Sequence, residues 1–277
     1  MAITAQDVNK LRQMTGAGMM DCKKALVEAD GDFDKAIEIL RKKGQKVSAS
    51  RADRETSEGV VFIKSNSDST EAVLISFTCE TDFVAKNEEF QSMGQEIVET
   101  AFNERPADIE GLKSLKSGDQ TIGEKIVDMI GKIGEKLDIS DYETLSGEAV
   151  VPYIHAGSKL GVLVALKGGE GTEVADAGRD VAMQIAAMKP IAVDKEGVDP
   201  TIIEKEMEIG KEQALAEGKP ENIVEKIALG KVNKYLKDNT LLSQPFVKDG
   251  SVNVGQYLNS VKSGLTVESF KRVAIGG

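Results

Sequence analysis

The residues of this chain that invite a catalytic reading are a single histidine, two cysteines and a run of glycines, and none stands in a catalytic pattern. His155 has no serine or cysteine motif beside it that would make it a general base. Cys22 and Cys79 lie far apart and match no metal or redox spacing, so they read as reduced thiols. Gly168-Gly169-Glu170-Gly171 follows an apolar run but lacks the Lys-Ser or Lys-Thr of a phosphate loop and the spacing of a dinucleotide site, which leaves a flexible turn. Glu88-Glu89 follows Asn87 and suits a helix start, where carboxylates meet the positive end of the dipole. No covalent chemistry, no cofactor and no bound metal are expected.

What remains is chemistry by contact. Thr81-Asp82-Phe83-Val84 stands between an apolar strand, Ala72 to Phe77, and an amphipathic helix. Such a junction usually carries Gly, Ser or Asn, which fit the required backbone angles. A bare aromatic beside a carboxylate suits a device that pushes into another molecule. The structural alternative has Thr81 or Asp82 capping a turn and Phe83 buried as a hydrophobic staple. His155, just before Ala156-Gly157 at the tip of a second hairpin, is open in the same way: a turn histidine with a local hydrogen bond, or a partner contact.

The elements that must position these residues follow from periodicity, and they predict an α+β fold. Thr4-Ala5-Gln6-Asp7 resembles a capping box and precedes an apolar stripe at Val8 and Leu11. Gly16 to Gly18 break that helix. A second helix runs from Met19 to Ala29, and a third opens at Asp32 with Phe33, Ala36, Ile37 and Leu40 on one face. The basic stretch 41–57 reads as a linker or an exposed helix. Gly59 to Ile63 and Ala72 to Phe77 form a hairpin. A helix capped by Asn87 turns Phe90, Met93, Ile97 and Ala101 inward, and another spans Ile122 to Lys136.

The pattern then recurs. Glu148 to Ile154 echoes Glu58 to Ile63, Gly161 to Leu166 echoes Ala72 to Phe77, and a helix with Val181, Ala182, Ile185 and Ala186 follows, which points to a duplicated hairpin-plus-helix unit. The second copy leaves its strand through Lys167 to Thr172 with no Asp-Phe pair, so the unit does not need one. Between 190 and 240 lies an antiparallel helical hairpin, with Met207 and Ala214 facing Ile223 and Ile227. A helix over Val252 to Asn259 and a strand over Val267 to Ile275 close the chain. The expected division is 1–55, 56–145, 146–189 with 241–277, and an insert at 190–240.

Bulk properties exclude several classes. A net charge of -11 argues against a general nucleic-acid binder, which needs surplus Lys and Arg. No apolar run approaches the ~18 residues of a membrane span, and no targeting segment precedes the first helix. A cytoplasmic protein that works on other proteins is expected.

Three blocks are similar to signatures of the bacterial elongation factor Ts family: Thr15 to Leu26, Thr81 to Asn87 and His155 to Val164. They occur in the family's order. The resemblance implies a guanine-nucleotide exchange factor for elongation factor Tu, with a ubiquitin-associated-like (UBA-like) N-terminal bundle, a core of two related halves and a coiled-coil insert. It implies that Thr81, Asp82, Phe83 and Val84 meet the GTPase and dislocate its Mg²⁺. By the same resemblance Arg12, Met19, Met20, Ile133, Gly134 and His155 make further contacts. A homodimer, or a 2:2 complex, through the insert is consistent with it. The rival readings are a non-exchanging adaptor that binds proteins through its bundle and a hydrolase built around His155.

Overall fold

The computed structural model describes residues 3–276. They form a mixed α+β structure of two compact units, one of residues 3–64, 73–142 and 274–276, the other of Ser65–Ala72 and Glu143–Val273.

In the first unit, α1 (Ala5–Thr15) opens on the expected capping box. Thr4 Oγ1 accepts the Asp7 N–H at 3.2 Å and the Asp7 carboxylate accepts the Thr4 N–H at 3.0 Å. Gly16, left-handed at φ 65°, ends it. α2 (Met19–Glu28) and α3 (Phe33–Ser50) complete a three-helix bundle over Val8, Leu11, Cys22, Ala25, Leu26 and Ala36. β1 (Glu58–Ser65) and β2 (Glu71–Cys79) form the first hairpin. A single turn, α4 (Asp82–Ala85), leads to α5 (Glu88–Glu104), whose first N–H groups are taken by the Asn87 side chain. α6 (Ile109–Ser114), the paired β3 (Lys116–Ser117) and β4 (Gln120–Thr121), α7 (Ile122–Ile133) and β5 (Leu137–Ser146) follow. The sheet order is β1-β2-β5. Beneath it the fully buried rings of Phe77 and Phe90 stack at 4.4 Å, a pairing that contributes ~0.5–1.5 kcal/mol beyond its burial.

Three features of this unit depart from the periodicity. The 41–57 stretch is helical as far as Ser50 and is not wholly exposed, because Gly44 is buried where α3 crosses α7. A Cβ added at Gly131 of α7 would stand 2.6 Å from the Gly44 Cα, so the two backbones touch and only glycine fits. α7 stops at Ile133 instead of Lys136, because Gly134 takes the left-handed cap at φ 81°. β5 has only two buried residues, Leu137 and Ile139, and pairs with the buried strand β2, so its own hydrophobic pattern is faint.

The second unit begins with β6 (Ala149–Ile154) and β7 (Leu160–Lys167), an antiparallel hairpin with Val151 opposite Val164. α8 (Thr172–Met188) packs on it through Val174, Val181, Ala182 and Ile185. α9 (Pro200–Ala216) and α10 (Glu221–Asn239) lie against each other. Their seam is Gly210 and Ala214 with Val224, Ala228 and Val232; Met207 and Ile227 are half-buried and Ile223 is exposed. The seam is drawn to small residues because a Cβ at Gly210 would stand 3.0 Å from the Ala228 Cα. β8 (Pro245–Phe246) pairs with β9 (Asp249–Asn253), and α11 (Val254–Val261) starts at Val254 because Asn253 and Gln256 form a capping box. β10 (Thr266–Ala274) is the expected last strand, in the order β10-β7-β6. The glycine run after β7 is more than a flexible turn: Gly168 has φ 98°, and a Cβ there would collide with the Gly264 carbonyl. No described helix is long and apolar enough to cross a membrane.

Candidate functional site

The junction after β2 splits its own side chains. Thr81, in extended conformation, caps α4 by accepting the Val84 N–H at 3.5 Å. One helical turn then sends Val84 and Ala85 into the core cluster at 9% and 6% exposure. Asp82 and Phe83 point the other way. Phe83 is 82% exposed, and Asp82 receives Lys86 Nζ at 2.6 Å. The capping half of the structural alternative therefore holds for Thr81, and the buried-staple half fails. Fully covering a Phe gives ~1.5–3 kcal/mol, so this ring stands in water at that cost.

The turn is held from below by two carboxylates that sequence reasoning did not single out. Glu135 accepts the Thr81 N–H at 3.0 Å and the Thr81 hydroxyl at 2.7 Å. Glu80 accepts the Lys136 N–H at 2.7 Å, Arg51 at 2.9 Å and Arg54 at 2.8 Å. Desolvation would push the Glu80 carboxyl up, but the Lys136 N–H and then the two guanidinium groups outweigh it and hold it down at about 2. Lys136 Nζ in turn donates to the carbonyls of Ala52 and Arg54 at 2.6 and 2.8 Å. Cys79, at the end of β2, donates to the Thr81 carbonyl at 3.1 Å. Burial, and then the negative charges of Glu135 and Glu58, push its thiol up to about 12.

These bonds bring Thr81, Asp82, Phe83 and Val84 together with Ile133 and Gly134, which directly precede Glu135. Ile133 is partly buried against the same core and Gly134 caps α7. The neighbouring Lys132 pairs with Glu89 and lies so close against Gly16 that a Cβ there would meet its ammonium. The Gly16 to Gly18 break leads into Met19 and Met20, which are 51% and 63% exposed; Arg12 is exposed on α1. A cavity of about 490 Å³ opens nearby, lined by Met14, Leu40, Met93, Met129 and the pairs Lys132–Glu89 and Lys125–Glu96.

His155 belongs to the second unit. It sits at the turn between β6 and β7, where its N–H donates to the Leu160 carbonyl at 2.9 Å and Nδ1 meets the Tyr153 hydroxyl at 2.8 Å. Its side chain is nonetheless exposed, so the local bond and availability to a partner coexist. Among the described residues no group of three or more His, Cys, Asp or Glu could hold a metal ion. The first unit thus carries an exposed aromatic on a clamped turn and exposed methionines on a bundle, and the second unit carries an exposed histidine on a hairpin tip.

Comparison with known proteins bears on what these exposed residues are for. The family model described as Elongation factor TS matches residues 80–277. Elongation factor Ts of Amoebophilus asiaticus is 57% identical over 276 residues, covering 100% of both chains. The protein of that name from Cytophaga hutchinsonii is 56% identical over 274 residues, 99% of each chain. The one from Porphyromonas gingivalis is 49% identical over 276 residues, again 99% of each.

Proposed function

The chain belongs to the elongation factor Ts family and functions as a translation elongation factor in protein biosynthesis, and we propose that it does so as the guanine-nucleotide exchange factor of elongation factor Tu. It binds the GDP-bound GTPase, dislocates the Mg²⁺ there, and leaves a nucleotide-free complex that GTP resolves. A cation that bridges phosphate oxygens to protein ligands is often the largest local charge in such a site. Shifting the elements that hold it weakens nucleotide binding without breaking a covalent bond. Coupling of this kind is reciprocal: the factor loosens the nucleotide, and incoming nucleotide expels the factor.

The observation that carries this reading is Phe83, 82% exposed on a turn whose other side chains are anchored. Thr81, Asp82, Phe83 and Val84 form the wedge; Arg12, Met19, Met20, Ile133, Gly134 and His155 supply further contacts. Several contacts are needed. A thousand-fold loss of nucleotide affinity corresponds to ~4 kcal/mol of coupling, and burying one Phe supplies ~1.5–3 kcal/mol.

The architecture fits this role. The proposed division is a UBA-like bundle with linker at 1–55, core halves at 56–145 and at 146–189 with 241–277, and an inserted coiled-coil hairpin at 190–240. The succession of hairpin then helix, β1-β2-α5 and β6-β7-α8, supports a duplicated core. The insert is the surface for a homodimer or a 2:2 complex, and the cytoplasm is the compartment. No nucleic acid, membrane or cofactor takes part.

The test is release of a fluorescent GDP analogue from elongation factor Tu with catalytic amounts of this protein. Acceleration with turnover supports exchange. Binding without release makes the protein an adaptor instead.

A further inference from the structure

We infer that Glu80 and Glu135 are positioning residues, a reciprocal latch that fixes the direction in which the α4 turn presents Phe83. The consequence for nucleotide release rests on the exchange reading above; the latch itself rests on geometry alone.

A four-residue helix does not hold its own orientation, since nucleating a turn fixes many dihedral angles for few hydrogen bonds. The core contacts of Val84 and Ala85 hold one side of α4, and the Gln91 side chain donates to the Ala85 carbonyl at its far end. Phe83 is not held by packing of its own ring, being 82% exposed. The residues just before the turn add the densest set of bonds that bear on its direction.

There the bonding is doubled. Thr81 delivers both its N–H and its hydroxyl to the two oxygens of one carboxylate, Glu135, at 3.0 and 2.7 Å. Two bonds between one residue and one carboxylate fix rotation as well as position. The preceding residue returns the contact: Glu80 takes the N–H of Lys136 at 2.7 Å. Residues 80–81 and 135–136 are thus linked in both directions, each segment lending a carboxylate to a backbone N–H of the other. Arg51 and Arg54 fill the rest of the Glu80 carboxylate, and Lys136 Nζ caps the carbonyls of Ala52 and Arg54. The segment after α3, the exit of β2 and the exit of α7 therefore meet in one charged network directly beneath the wedge. Side chains that must act at a fixed angle work best when their support is already ordered, because ordering them on contact would subtract from the work they do.

Two readouts test this on the full chain. The first is amide hydrogen exchange of the free protein, followed by NMR for the native form, Glu135→Ala, Glu135→Gln, Glu80→Ala and Thr81→Val. The amides of Ala85, Lys86 and Asn87 bond back within the turn to Thr81, Asp82 and Val84. Losing charge-assisted bonds at Glu135 or Glu80 is expected to speed their exchange about tenfold or more, while Leu74 and Ile75 in β2 keep their rates. Should Glu135→Ala loosen β2 as well, Glu135→Gln decides, since it keeps the volume but only one acceptor oxygen; faster exchange confined to the turn is expected. Thr81→Val, which also removes the cap on the Val84 N–H, gives the rate of an uncapped turn for comparison. Unchanged turn amides in Glu135→Gln and in both alanine variants overturn the latch.

The second readout is GDP release from elongation factor Tu at saturating factor. Glu135→Ala is expected to lower the maximal rate about tenfold and leave the half-saturating concentration within about twofold, with partial rescue by Glu135→Gln, which keeps one acceptor. A loosened turn with an unchanged maximal rate overturns the positioning role. If the native protein releases no GDP, the exchange reading fails, and the amide rates still judge the latch.

Discussion

Phe83 and Val84 are neighbours on one helical turn and face opposite ways, at 82% and 9% exposure. Adjacent residues of a helix are about 100° apart, so one turn can bury one side chain and present the next. Their truncations should therefore read out differently. Val84→Ala is expected to lower unfolding free energy by about 1–2 kcal/mol, and Phe83→Ala by no more than about 0.5 kcal/mol. Urea unfolding followed by circular dichroism measures both. Equal losses would mean that Phe83 packs as a staple after all.

The bundle is seated on α7 by the contact of Gly44 with Gly131. Gly131→Ala places a methyl 2.6 Å from the Gly44 Cα, and the expected cost is about 1–3 kcal/mol of overpacking. Gly44→Ala meets the Val127 carbonyl oxygen at 3.3 Å and should cost less, since better helix propensity offsets part of it. Thermal melts of the two variants, compared with the native chain, give the order directly. A Gly131→Ala protein as stable as the native one would rule out the close crossing.

Glu80 gives the molecule an acid-sensitive joint. Its carboxyl is held at about 2 against an ordinary value of 4.5. A lowered folded-state pKa contributes stability that is fully present above the unfolded value and is lost as pH falls from about 4.5 towards 2. Arg54 is more than half exposed, which weakens the pairing, so the contribution is about 1–2 kcal/mol. Glu80→Gln should flatten the pH dependence of stability in that window and leave its slope near neutrality unchanged. An unaltered acid limb would show that the charge network carries no such weight.

Cys79 should be chemically silent. It is fully buried and its thiol is pushed up to about 12, so almost no thiolate exists at pH 8. In a Cys22→Ala background, alkylation of Cys79 by iodoacetamide is expected to be slower than that of an exposed cysteine peptide by about a hundredfold or more. Urea should restore the peptide rate. Prompt labelling of the native protein would mean that the exit of β2 opens freely.

The exposure of Phe83 is legible in the sequence because the second hairpin-plus-helix unit leaves its strand without an Asp-Phe pair, so the unit does not need that ring for its own packing. The α1 capping box and the hairpin strands were also legible, since each depends on residues close together in the chain. The latch was not. Thr81 and Glu135 lie 54 positions apart, and a carboxylate after a helix-ending glycine carries no sign of the N–H it will meet. Local composition misleads where packing outweighs it: the Lys and Arg of 41–46 suggest an exposed segment, yet Gly44 among them is buried against α7. On α9 and α10 the larger apolar residues Met207 and Ile223 suggest the seam, but the backbones close on Gly210 and Ala228 instead.

The most direct measurement compares native protein with Phe83→Ala in two assays on elongation factor Tu: catalysed release of a fluorescent GDP analogue, and affinity for the nucleotide-free GTPase. If Phe83 is a wedge spent on loosening nucleotide, the variant should lose about tenfold or more in release at saturating factor while complex affinity changes by only a few-fold. Equal losses in release and in affinity would contradict this, and would make Phe83 an anchor that binds without pushing.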